Sequence, residues 1–129
     1  MFYAHVFVQP LFVPFPTIAL SHGWRLGGEW GWNLDEPNLI GRLGQCVREE
    51  AIPFLHRVDT VDDLIATMED LGWSHVHPGP ETVAYGLAKV GRKAEAIAAL
   101  AELAAWFDRK VEWQRESAER AELLANLML

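Results

Sequence analysis

Charged side chains are almost missing from the first 34 residues, which contain only Arg25 and Glu29. The stretch is rich in aromatic and β-branched residues instead, and three prolines interrupt it between positions 10 and 16. Proline fits neither a helix interior nor a central strand, so this segment favours short extended pieces. The sequence therefore predicts a small antiparallel sheet of about three strands in residues 1–34.

Strand-like patterns occur in residues 2–8, 17–20 and 24–32. Both faces of the first segment are largely apolar, which predicts that the strand is covered on both faces. The prolines argue against a membrane-spanning helix, and no basic residue precedes the apolar stretch as in a signal peptide. We therefore expect a cytoplasmic protein that does not associate with a membrane.

The net charge of −7 comes mainly from acids in residues 35–91. A negative field repels phosphate, which excludes nucleic acid as an expected partner. Cys46 is the only cysteine, so no intrachain disulfide can form, which fits a reducing compartment. No cationic cluster flanks Cys46, and we expect a small buried hydrophobe rather than a reactive thiol.

Residues 35–129 carry helical patterns, so residues 1–129 are predicted to form a single α+β domain with about four helices. Pro53 should end or kink the first helix near Ala51. Thr60 and Asp63 resemble a capping box at the start of the second helix. The first helix is expected to bury one face, formed by Leu39, Ile40, Leu43, Cys46 and Val47.

Glycines set the next boundaries, because Gly72 should stop the second helix and Gly91 the third. A fourth helix starts near Lys93, and neither Gly nor Pro follows before residue 129. This predicts one long helix whose apolar seam has heptad spacing.

A helix of this length must either break or extend beyond a compact domain, and Glu116 and Arg120, four residues apart, favour a continuous helix. The alternative, above all for the Ala-rich first half, is a core helix packed on its own sheet. We expect a homo-oligomer, in the first instance a dimer. Its interface would comprise Phe107, Val111, Ala118, Ala121, Leu124, Ala125 and Met128.

Residues 24–32 combine aromatic area with the two charges of the sheet half. Indole rings offer flat contact surfaces, and a guanidinium forms a fork for carboxylates. Two interpretations remain open: a recognition surface, or a hairpin whose tryptophans cover the sheet while Arg25 pairs with Glu29. The residues of the predicted ligand- or partner-binding surface are His5, Trp24, Arg25, Glu29, Trp30 and Trp32.

His75 and His77 could project to the same side of an extended segment and chelate a divalent metal. No third ligand lies nearby in sequence, so we expect two surface imidazoles, no metal and no cofactor. No arrangement of nucleophile and base stands out either, and the sequence predicts no catalytic residues.

Two resemblances add to this reading. Residues 81–103 resemble a single helical hairpin of the tetratricopeptide type, which implies two antiparallel helices. The order of the segments 9–11, 52–55 and 60–64 resembles a family of uncharacterised bacterial domains of unknown function. Members of that family have more sheet before this point, so the resemblance implies a shortened form and transfers no catalytic residues.

The function predicted from the sequence is therefore non-enzymatic: a self-associating, protein-binding protein, for example an inhibitory or immunity-type binder. The alternative is a small-molecule-binding protein or small enzyme. Its pocket would be lined by His5, Trp24, Arg25, Glu29 and Trp30.

Overall fold

The computed structural model describes residues 1–14, 22–28, 31–75 and 79–129. A two-stranded antiparallel sheet comes first, in which β1 (His5–Phe7) pairs with β2 (Gly23–Arg25). Helices form most of the remaining structure. The α+β class, with a small antiparallel sheet at the N-terminus and helices after it, is therefore confirmed.

The described residues contain two strands instead of about three. Gly27 and Gly28 take positive φ values of 79° and 92°, which turn the chain away from β1. The chain returns at Trp32, which forms an isolated antiparallel bridge with Phe2. The candidate strand 17–20 lies outside the described residues.

The prediction that β1 is covered on both faces is also wrong. Val6 is buried, whereas His5 and Phe7 are exposed. Successive side chains of a strand point to opposite faces, so one face of the sheet packs on the helices and the other faces solvent.

The prediction that Pro53 ends the first helix is wrong, but a local distortion of the helix does end at Ala51, where the alternative, a kink, is predicted. The first helical run continues through Pro53. It consists of α1 (Leu39–Cys46), a π turn (Val47–Ala51) and α2 (Ile52–Arg57). In the π turn the Ile52 amide donates to the Val47 carbonyl, five residues earlier. This wider turn accommodates the proline, which lacks an amide proton and would clash in a regular helix interior.

The predicted buried face of α1 is not formed, because α1 has no buried residue. Leu39, Leu43 and Cys46 are half-buried, while Ile40 and Val47 are exposed. Three of the five predicted positions are therefore half-buried, and the other two face solvent.

The local signals for α3 (Val61–Asp70) and α4 (Gly79–Lys89) are confirmed. The Thr60 hydroxyl accepts from the Asp63 amide, and the Asp63 carboxylate accepts from the Thr60 amide, each at 3.1 Å. Gly72 and Gly91 follow their helices with φ values of 73° and 78°. Glycine tolerates this left-handed conformation, which ends a helix.

The predicted long C-terminal helix is instead two helices, α5 (Lys93–Trp106) and α6 (Glu112–Met128). Phe107 and Val111 have extended backbones that bound the turn between them. Within the turn, the Asp108 amide donates to the Gln114 side chain at 2.8 Å. The chain folds back here because small residues of α6 can then pack closely against α5.

The main core lies between α4, α5 and α6, which pack in sequence order with α3 against α4. A smaller core joins the inner face of the sheet to the first helical run and contains Val6, Leu26, Ala51 and Phe54. The main core contains Ala84, Leu100, Leu103, Ala104, Phe107, Ala118 and Ala121.

Candidate functional site

Trp24 and Trp32, two of the predicted recognition residues, are part of the packed structure. The Trp24 ring lies 4.6 Å from that of Phe54 and 6.3 Å from that of Trp73, between centroids. Trp32 is only 4% exposed, and its indole N–H donates to the Leu26 carbonyl at 3.1 Å. These indoles stabilise the sheet half and offer little area to a partner.

His5 and Arg25 lie on the outer face of the sheet, directly opposite each other in the strand pair. The Arg25 guanidinium carbon stands 4.1 Å from the centroid of the Tyr3 ring, which makes a cation–π contact. Trp24 points to the opposite face, so it does not converge with these two residues. Glu29 and Trp30 lie outside the described residues.

The predicted oligomer interface coincides with the chain's own core. Phe107, Ala118 and Ala121 are buried there, between α5 and α6. Three others, Leu124, Ala125 and Met128, are partly buried against the same cluster. Val111 is exposed at the turn.

Cys46 is half-buried beside Glu50. Burial, and then the hydrogen bond to Glu50 and the charge of that carboxylate, raise the pKa of the Cys46 thiol. A raised pKa disfavours the thiolate, which is the nucleophilic form. This environment agrees with the expectation of an unreactive thiol, although the side chain is less buried than expected.

A buried polar contact joins the sheet half to α4. His22 Nε2 and Thr82 Oγ1 are 2.7 Å apart, and the two residues are 1% and 0% exposed. Burial lowers the pKa of His22, so the neutral imidazole is favoured. The contact fixes the start of α4 relative to the sheet.

A groove that the sequence did not predict opens between α3, α4 and α5, with a volume of about 480 Å³. Its longest wall is a stripe of α5 whose residues are spaced three and four apart. We name it the Trp106 groove. Its described lining residues are Glu69, Ser74, Pro80, Val83, Ala99, Glu102, Leu103 and Trp106.

Trp106 belongs to an aromatic cluster at the turn between α5 and α6. The Phe107 ring lies 5.3 Å from that of Trp106 and 5.9 Å from that of Trp113, both edge-on. Phe107 is buried, whereas Trp106 is 57% and Trp113 is 45% exposed. The buried phenylalanine thus supports two indoles that remain accessible. The available sequence signal was that both tryptophans lie off the heptad seam.

No group of three metal-ligating side chains comes together within the parts of the chain that the structure describes. His77 and the side chain of His75 lie outside those parts. No helix among the described residues is long and apolar enough to cross a membrane.

Comparison with models of known protein families gives no match, and searches of curated proteins and of solved structures give no significant match either.

Proposed function

We propose that this chain is a non-enzymatic, protein-binding protein that holds its partner at the Trp106 groove. The observation that carries the proposal is the large exposed indole of Trp106 at the edge of a mainly apolar groove. Tryptophan is enriched among the few residues that provide most of the binding energy in protein interfaces. The Phe107 ring contacts this indole edge-on at 5.3 Å, and a side chain that already has a packing partner loses less conformational entropy on binding.

The alternative, a small-molecule pocket on the sheet, has less support. It required His5, Trp24 and Arg25 to converge, and the alternation of side chains along the strands separates Trp24 from the other two. The Trp106 groove is instead an open surface, which suits a polypeptide better than an enclosed ligand.

We also propose that the protein forms a homodimer, through the outer surface of α6 rather than its buried seam. Leu123 and Leu127 are exposed one turn apart near the end of α6. Paired apolar side chains at this spacing form a stripe that a second copy can cover. The proposed compartment is the cytoplasm, which agrees with a single cysteine held as a thiol.

Site-specific photo-cross-linking tests the binding proposal. A photoreactive phenylalanine analogue replaces Trp106 in one variant and the exposed Leu11, on the sheet half, in a control. Each protein cross-linked only from position 106 is then purified and titrated with the wild type and with Trp106→Ala. We expect the Trp106→Ala substitution to weaken binding by about tenfold or more. A purified partner that binds both forms equally, or identical cross-links from both positions, would contradict the proposal.

A further inference from the structure

The Trp106 groove is negatively charged. Glu69 and Glu102 belong to its lining, and its described lining contains neither lysine nor arginine. Neither carboxylate forms a salt bridge with another described residue. Glu102 is therefore available to a cationic partner. Glu69 interacts electrostatically with Arg92, which lies outside the lining, but its side chain remains exposed and forms no salt bridge with that residue.

The ends of two helices add to this field. Glu69 lies in the last turn of α3 (Val61–Asp70), and Trp106 is the last residue of α5 (Lys93–Trp106). Each helix C-terminus carries up to about half a negative charge from its aligned peptide dipoles, which the Gly72 amide reduces at the end of α3 by donating to the Glu69 carbonyl. The N-terminus of α4 contributes one opposing partial charge near Pro80, so the negative terms predominate.

The apolar part of the groove follows a helix. Ala99, Leu103 and Trp106 recur along α5 at intervals of four and three residues, and Val83 of α4 faces the same groove. Leu103 is almost fully buried, so Val83, Ala99 and Trp106 provide the accessible apolar area. Two helical turns of α5 extend for about 10 Å, which matches the spacing of two apolar anchors on a second helix. Helix-lined grooves of this kind bind amphipathic helices through such anchors.

We infer that the segment held in the Trp106 groove is a cationic amphipathic helix. Its apolar stripe packs against Val83, Ala99 and Trp106, which are half-buried or exposed, while lysines or arginines beside the stripe pair with Glu69 and Glu102. Arginine fits best, because its planar fork can bind a carboxylate through two hydrogen bonds. This inference rests on the proposed function and specifies the chemistry of its partner.

Selection from a displayed library tests the inference without a known partner. The library consists of helical peptides of about 20 residues with all surface positions randomised. The baits are the wild type, Trp106→Ala, and the double variant Glu69→Gln with Glu102→Gln. A matched control, Glu116→Gln with Glu119→Gln on exposed positions of α6, removes the same amount of charge elsewhere. Circular dichroism confirms that each bait is folded.

We expect the wild type to select peptides in which lysine or arginine flanks an apolar stripe. Their affinity should fall by about tenfold in Trp106→Ala and in the Glu69/Glu102 variant, but by less than about threefold in the charge-matched control. Backbone amide shifts of Val83 and Ala99 on peptide addition provide a readout that needs no variant.

The alternative outcomes separate the two claims. Peptides that depend on Trp106 but show no basic bias would overturn the cationic helix and leave the binding function standing. An equal loss of affinity in the charge-matched control would show non-specific attraction and would also overturn the inference. If no selected peptide depends on Trp106, both the inference and the proposed function fail.

Discussion

Replacing Trp32 should severely destabilise the protein, although the sequence suggested a place for it on a recognition surface. Its side chain is buried, its indole N–H donates to the Leu26 carbonyl, and the Arg42 guanidinium stands 5.2 Å from the ring centroid. Truncating a buried tryptophan to alanine costs about 3–5 kcal/mol. A domain of this size has a total stability of about 5–15 kcal/mol, so Trp32→Ala should be marginally folded.

Two further variants make this prediction quantitative. Trp32→Phe keeps most of the ring packing and loses the hydrogen bond, which should cost about 1–2 kcal/mol. Trp106→Ala truncates an exposed indole and should cost less than about 1 kcal/mol. Urea denaturation followed by far-ultraviolet circular dichroism measures all three without relying on tryptophan fluorescence. If Trp106→Ala proved more destabilising than Trp32→Ala, the assignment of core and surface tryptophans would be refuted.

Three other perturbations probe separate parts of the structure. Burial lowers the pKa of His22 from its usual 6.5, so the unfolded chain binds a proton first as the pH falls. The free energy of unfolding should therefore decline below about pH 6.5, by at most about 1.4 kcal/mol per pH unit. In urea titrations, His22→Phe should make this pH dependence shallower. An unchanged pH dependence in His22→Phe would contradict a buried neutral imidazole. Burial and Glu50 raise the pKa of Cys46, so a thiol-specific reagent should modify Cys46 more slowly than free cysteine. Glu50→Gln should accelerate the reaction, and equal rates would exclude the influence of that carboxylate. Light scattering at micromolar concentration should show a dimer that Leu123→Glu together with Leu127→Glu dissociates; a wild-type monomer of 14.5 kDa would disprove self-association.

Helix ends encoded by local contacts could be predicted from the sequence. The Thr60–Asp63 capping box, and the glycine stops at Gly72 and Gly91, need only neighbouring residues to form. Such capping signals can be interpreted from the sequence because they do not depend on tertiary contacts with the rest of the chain.

The break between α5 and α6 could not be predicted in this way. Apolar residues at three- and four-residue spacing continue through Phe107. The same spacing is compatible with one continuous helix or with two antiparallel helices joined by a turn. The folded-back arrangement is stabilised by tertiary packing, since Ala118 and Ala121 reach the buried side chains of α5. This contact joins α6 to residues of α5 that lie more than ten positions earlier in the sequence. The spacing of apolar residues along one helix does not show whether such a contact forms.

The candidate site escaped prediction for a related reason. Trp24 and Trp32 attracted attention because aromatic residues and charges cluster in their segment, but a sequence pattern does not show which face of a small sheet is covered. The Trp106 groove requires three helices to meet, and its lining residues range from Glu69 to Trp106. The one available signal in the sequence was that Trp106 lies outside the predicted heptad seam, so the predicted buried face did not account for it.

Fluorine NMR tests most directly which tryptophans contact a partner. Fluorotryptophan replaces the six tryptophans of the chain, and single Trp→Phe variants assign their resonances. The partner identified by cross-linking from position 106 is then titrated into the labelled protein. We predict that the Trp106 resonance shifts, while the resonances of the packed Trp24 and Trp32 stay in place. A shift confined to the Trp24 or Trp32 resonance, with the Trp106 resonance unchanged, would contradict binding at the Trp106 groove. It would instead support a recognition surface on the sheet.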